Sequence, residues 1–294
     1  MMERSVSQPL FGTDKTRPPL AKRFRKYWFS AKRYAISRYG FCLLLALGAL
    51  YVLSGVSLER IYISCSPGQP LVRVYHSFLP ENVFRSISDV LPTHPLITQN
   101  QLDGDNFQNT TGWLVKFNRD GLEKLRTIPA YAMLLPYIDA TIRPEANAFV
   151  FNLLVCHQPS EWHAGMEAVG THLDDTIALS SVGEWYWGET FLAHQVNVLY
   201  TNLPEGIEGG EVEVWPFESE NSETGKAVVT PAENAMVEFR GDAYHRVRAF
   251  RSPSGKPRLS LVFEQYKIHP WLYPRTIPFC ENTQCDMLEA GVDE

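Results

Sequence analysis

From Ala148 onward the chain is a succession of short runs with the period of an extended backbone, and this constrains its fold more than any other feature. The first run, AFVFNLLVC at 148–156, is continuously apolar and of strand length. Positions 195–200 place Val196, Val198 and Tyr200 on one face, and 211–215, 235–239, 245–250 and 259–266 alternate in the same way. Successive side chains of a strand point to opposite faces, so each run predicts a strand with one face in a core. Gly, Pro and Asn turns separate the runs and no helix alternates with them. This argues against βαβ units and predicts antiparallel sheets closed as a barrel or sandwich. Ahead of this region, 80–92 places Val83, Phe84, Ile87 and Val90/Leu91 at helical spacing. Further helices are predicted at 120–128 and 130–141, the latter kinked or broken at Pro136, and 99–111 reads as a polar loop. The expected class is mostly β with supporting α-helices (α+β).

The start of the chain has a different character. Residues 1–38 carry ten Lys/Arg against Glu3 and Asp14, so a formal net charge of -6 over 294 residues hides a basic tail on an acidic remainder. A nucleic-acid binder would carry its positive charge on the folded domain, so no nucleic-acid partner is expected. Residues 39–58, YGFCLLLALGALYVLSGVSL, contain no charge. Twenty helical residues rise about 30 Å, the thickness of a bilayer's hydrocarbon. The expectation is one transmembrane helix with the N-terminus cytoplasmic and the rest on the far side of the membrane, an endomembrane lumen or periplasm. A cleaved signal peptide and an organelle-targeting segment are the alternatives. The expected organisation is a basic tail (1–38), an anchor (39–58), a helical support region (59–144), a catalytic domain (145–270) and a C-terminal tail (271–294). On an oxidising side of a membrane Cys280 and Cys285 are spaced to bridge a short loop. Cys156 reads as a buried thiol, and Asn109-Thr110-Thr111 is a single glycosylation-type triplet.

The chemistry gathers at three places. His172 and Asp174, two apart on an extended backbone, point the same way and can reach one ion together. His245, in a later strand, would complete a set of two imidazoles and a carboxylate, which leaves adjacent positions open on Fe(II). A three-ligand zinc site is the competing metal reading. Arg258, on the next strand, can enter the same core, where a guanidinium needs an anion that it grips bidentately. Ser260 shares its face by the period-two rule. Arg248 and Arg251 are alternative anchors nearer the turn.

These pieces together resemble the iron(II)- and 2-oxoglutarate-dependent dioxygenases, and within them the prolyl 4-hydroxylase-like group. The matching stretches are His172-x-Asp174, VLYTN at 198–202, GGE at 209–211, HRV at 245–247 and RLSL at 258–261, in the order the family has them. The resemblance covers about 145–268. It implies a double-stranded β-helix (jelly-roll) catalytic domain, with Fe(2+) on His172, Asp174 and His245 and the tail of 2-oxoglutarate on Arg258. It also implies that Tyr200 helps hold that tail, and that Gly209-Gly210 is a tight strand entry without a catalytic role. The implied activity is hydroxylation of a protein side chain, prolyl or other, or of a small molecule. It would consume O2 and 2-oxoglutarate and release succinate and CO2, with ascorbate a further candidate cofactor. The presence of Asp174, where related halogenases lack the carboxylate, favours hydroxylation. The thirteen residues from His245 to Arg258 exceed the family's usual nine or ten and imply a longer hairpin. Trp185-Tyr186-Trp187 is a candidate for the substrate mouth, with plain packing as its alternative. Two other classes compete with the enzyme reading as a whole: a catalytically silent membrane-anchored binding module, and a zinc-dependent hydrolase on the same three ligands. The oligomeric state is not legible.

Overall fold

The structure is a computed structural model that describes residues 60–65, 68–97, 109–161, 165–177, 179, 189–219, 224–282 and 284–285. The basic tail, the apolar stretch 39–58 and Trp185-Tyr186-Trp187 lie outside the described residues. Among those described, no helix is long and apolar enough to cross a membrane.

Two antiparallel sheets form the body. The larger has seven strands: β15 (Phe279–Glu281), β3 (Thr110–Asn118), β4 (Ala148–Cys156), β14 (Arg258–Tyr266), β7 (Gln195–Asn202), β11 (Met236–Arg240) and β2 (Val72–Tyr75), in that spatial order. The smaller runs β10 (Ala227–Val229), β9 (Val212–Trp215), β12 (Tyr244–Arg248) and β5 (Glu167–His172). Two ribbons are added, a parallel one between β1 (Arg60–Tyr62) and β6 (Glu189–Phe191) and an antiparallel one between β8 (Glu208–Gly209) and β13 (Phe250–Arg251). This mostly-β arrangement with few helices is compatible with the expected jelly roll.

The large sheet is covered on both faces, which explains its sequence. On β4, Phe149, Phe151, Leu153 and Val155 pack outward, and on β14 Leu259, Leu261 and Phe263 do the same. They meet α1 (Glu81–Ser88), α2 (Arg119–Thr127) and α3 (Leu135–Thr141) through Phe84, Ile87, Leu122, Leu125 and Ile138. The alternate residues, such as Val150 and Tyr266, face the smaller sheet together with Val198, Val212 and Val214. A strand buried on both faces shows a continuous apolar run in place of alternation.

The helices fall close to their expected places. Asn118 caps α2 through its side-chain oxygen, which accepts from Gly121 N at 3.0 Å. Pro136 does not kink a helix; it stands in the first turn of α3, after a separate 3-10 segment at Pro129–Leu134. Its fixed φ and missing N–H suit that position. The expected strand at 245–250 is interrupted, with Ala249 separating β12 from β13.

Four strands come from segments expected to be something else, and β1 and β2 are among them, since both lie in 59–144, which was read as a helical support region. β3 crosses the region read as helical and occupies the position beside β4, its first two residues lying in the stretch 99–111 that was expected to be loop. The C-terminal segment, expected as a tail, supplies β15 and adds it to the edge of β3. Cys280 and Cys285 are bridged there and buried. Closing so short a loop contributes about 2 kcal/mol in the chain-entropy account. Reduction should therefore lower the unfolding midpoint by roughly 4–8 °C, measured by thermal scans with and without a thiol reductant.

Candidate active site

The two histidines meet because they are directly opposed in the ladder of β5 and β12. His245 and His172 are Cα partners, and their ring centroids lie 4.2 Å apart. Opposed residues of an antiparallel pair share a face. The register shifts just after His245, a bulge of the kind that re-aims side chains beside functional sites. Asp174 follows β5 and is buried. Its Oδ1 lies 3.7 Å from His172 Nε2 and its Oδ2 3.5 Å from His245 Nε2.

These contacts are not ion pairs. Burial lowers the pKa of His172, and burial followed by the neighbouring His172 lowers that of His245 further, so both imidazoles are neutral at ordinary pH. Each directs Nδ1–H to a backbone carbonyl, His172 to Gly170 O at 2.7 Å and His245 to Ala243 O at 3.3 Å. That bond fixes the tautomer and leaves the Nε2 lone pair facing Asp174. Asp174 Oδ2 is buried with no hydrogen-bond partner. Three ligating atoms, from two neutral imidazoles and one carboxylate, therefore lie within 4.8 Å of one another, close enough to share one ion. This donor set fits a divalent cation of the Fe(II) type and leaves open positions on it.

Burial, and next Asp175, push the Asp174 carboxyl up to about 7. It must lose its proton to bind a cation, while the imidazoles have none to lose. Above pH 7 the carboxylate is already ionised; below it, proton and metal compete. Metal affinity should therefore fall about fivefold as the pH drops from 7 to 6, with up to one proton released per ion bound. Titration with Co(II) at several pH values measures this.

The triad opens into a cavity of about 370 Å³ between the sheets. Arg258, Ser260, Val262 and Glu264 line it from alternate positions of β14, as the period-two reading requires. Arg258 is only 2% exposed. Its Nη1 donates to Gly210 O and its Cζ lies 5.4 Å from the centroid of the Tyr200 ring. Its Nε is buried without a partner, as is Tyr200 Oη. No carboxylate pairs with Arg258 among the described residues. Ser260 is the Cα partner of Tyr200 on β7 and also lines the cavity.

Gly210, expected only to form a tight strand entry, also holds Arg258. Its φ of +79° strains any other residue, and a Cβ there would lie 3.1 Å from Arg258 Nη1 and press on the guanidinium. Arg248 and Arg251 point elsewhere: Arg248 to Glu213 at 3.1 Å and Arg251 to Glu208 at 2.7 Å.

The sequence reading passed over a second polar group on the same wall. Glu264 is 1% exposed and accepts from Asn152 Nδ2, Thr176 Oγ1 and Tyr266 Oη at 2.6–2.7 Å. Burial, and next Asp174, push its carboxyl up to about 8. Lys116 on β3 donates from Nζ to Thr176 O at 2.6 Å. The signal for Glu264 was present, since the alternation that places Ser260 on the face of Arg258 also places Glu264 there.

No family profile and no curated protein matches the sequence. Solved structures do resemble it. A prolyl-4-hydroxylase from Pseudomonas putida is 16% identical with a TM-score of 0.43, the match covering 67% of this chain and 92% of that one. An oxidoreductase of the 2OG-Fe(II) oxygenase family from Burkholderia pseudomallei is 12% identical with a TM-score of 0.37, covering 72% and 97%. A prolyl hydroxylase from Trichoplax adhaerens, bound to a peptide fragment of the oxygen degradation domain of hypoxia inducible factor, is 12% identical with a TM-score of 0.38, covering 67% and 84%. At such identities and scores none of them assigns this chain's chemistry.

Proposed function

We propose that the chain is an Fe(II)- and 2-oxoglutarate-dependent oxygenase that hydroxylates a protein side chain, prolyl among the candidates, or a small molecule. The observation that carries this reading is the pairing, in one cavity, of a two-histidine, one-carboxylate set with a buried guanidinium that has no counter-anion among the described residues. A buried cation without a counter-charge costs several kcal/mol, which a carboxylate entering the cavity would offset. A 2-oxo acid with a second carboxylate at its far end answers both demands, one end at the metal and the other at Arg258. A zinc hydrolase leaves Arg258, Tyr200 and Ser260 without a role, and a silent module leaves the whole set without one.

When bound, Fe(II) supplies the redox chemistry that couples decarboxylation of the co-substrate to oxidation of a C–H bond. The chain's own part is to hold and orient. His172 and His245 present fixed Nε2 lone pairs, and Asp174 supplies the negative charge. Arg258, kept in place by Gly210 O, offers Nε and its remaining N–H groups to the distal carboxylate, and Tyr200 Oη and Ser260 Oγ are placed to donate beside it. The apolar cavity walls Leu154, Val198, Val212 and Val262 keep water from the remaining volume, which strengthens these charge-assisted bonds. In this reading the apolar stretch 39–58 anchors the enzyme beside a membrane.

The test is turnover. Full-length protein with Fe(II), ascorbate and 2-oxoglutarate should form succinate, and candidate substrates should gain one oxygen by mass. Absence of succinate from iron-loaded protein across a broad peptide and small-molecule panel, with no uncoupled background, would sink the reading.

A further inference from the structure

Of the three ligands, the carboxylate is the one that no strand delivers. His172 ends β5 and His245 lies within β12, each fixed by the ladder between them. Asp174 stands in 173–177, which forms neither helix nor strand. Among the described residues its backbone is held where Asp174 O accepts from Ala193 N at 2.9 Å. A ligand on irregular backbone needs other support to keep its geometry.

That support comes from across the cavity. Two residues beyond the ligand, Thr176 is gripped twice by the large sheet. Lys116 Nζ on β3 donates to its carbonyl at 2.6 Å, and its own hydroxyl donates to Glu264 Oε2 on β14 at 2.7 Å. Glu264 is itself fixed on both sides. Tyr266 Oη donates to Oε2 at 2.6 Å, and Asn152 Nδ2 on β4 donates to Oε1 at 2.7 Å. Lys116, Asn152, Glu264 and Tyr266 are all buried.

A buried lysine and glutamate are costly choices for filling space, where an apolar residue would do as well or better. Their neighbours on the same inward face, Leu114, Leu154 and Val262, are apolar. On this face Lys116 and Glu264 reach the segment carrying Asp174, with Asn152 bonded to Glu264, while Arg258 and Ser260 stand toward the start of β14 beside Gly210 and Tyr200. We infer that Lys116 and Glu264 are positioning residues that brace Asp174, tying its segment across the cavity to the large sheet. This rests on the reading that the triad binds a metal, and not on the identity of the co-substrate.

The test uses the full chain and Co(II) as the probe, at one fixed pH above 8 for all variants. Thr176→Val keeps the shape and removes the hydroxyl. Lys116→Met keeps the stem and removes the ammonium. Loss of a group that orients a metal ligand typically weakens binding 10- to 100-fold, and that is the expected loss for each variant. Thr176→Ser, which keeps the hydroxyl, should bind within about threefold of the native chain. The unfolding midpoint of each metal-free variant is measured alongside, and if Thr176→Val fails to fold, Lys116→Met carries the same comparison. Folded variants that bind Co(II) as tightly as the native chain overturn the brace, even if their metal-free midpoints fall, because that pattern means a structural role alone. A native chain that binds no Co(II) overturns the metal reading and the brace with it.

Discussion

His245→Ala should abolish metal retention by a protein that still folds. The side chain provides one of three protein donors, and its Nε2 faces Asp174 Oδ2 at 3.5 Å. A tight four-ligand site binds with about 10–16 kcal/mol, so each ligand is worth roughly 3 kcal/mol, two to three powers of ten in affinity. His172→Ala should behave in the same way, because the two rings are opposed members of one ladder pair. Neither ring carries a buried charge in the metal-free protein, since burial holds both neutral. Removing one leaves no orphaned ion; for His245 the losses are its ring contacts with Phe239 and His172, 4.8 and 4.2 Å between centroids, and its bond to Ala243 O. The check is metal content after dialysis together with circular dichroism. Metal content equal to that of the native chain would contradict the assignment.

The second large effect is expected at the other end of the cavity. Arg258→Met should weaken 2-oxoglutarate binding by about a hundredfold or more while Co(II) affinity stays within a few-fold. Truncating one partner of a buried, hydrogen-bonded charge pair costs about 2–5 kcal/mol. The guanidinium is buried, with Nε free of any partner, so most of its charge remains for a ligand. Arg258→Lys should not restore affinity, because an ammonium lacks the planar fork that matches a carboxylate. Calorimetric titration of the metal-loaded variants separates the two losses. A variant that lost metal and 2-oxoglutarate together would show Arg258 to be structural.

Both expectations come from residues that the sequence makes legible, and the reason is periodicity. His172 ends β5 and Asp174 stands two residues from it, just past the strand, and His245 and Arg258 fall in β12 and β14, two runs whose alternation is plain. Where alternation fails, legibility fails with it. β3 carries Trp113, Val115 and Phe117 toward the helices and Leu114 and Lys116 toward the cavity. A strand covered on both faces shows no polar side, and Gly112 and Lys116 interrupt what apolar run remains. An inward lysine reads as solvent-facing until its partner, the carbonyl of Thr176, is known. Glu264 was hidden in a similar way, since a carboxyl in a strand is ordinarily assigned to the wet face. In the structure Glu264 is buried with three donors around it.

The central claim is that one cavity holds the two ends of a single dicarboxylate, a metal at one end and Arg258 at the other. Its most direct measurement is 2-oxoglutarate binding to the full-length native chain by anaerobic calorimetry, with and without Fe(II). The expected result is binding that depends on the metal by about a hundredfold or more, with the metal-dependent part lost in His245→Ala and the affinity weakened in Arg258→Met. Binding of equal strength with and without Fe(II), or no binding to the iron-loaded chain, would contradict it.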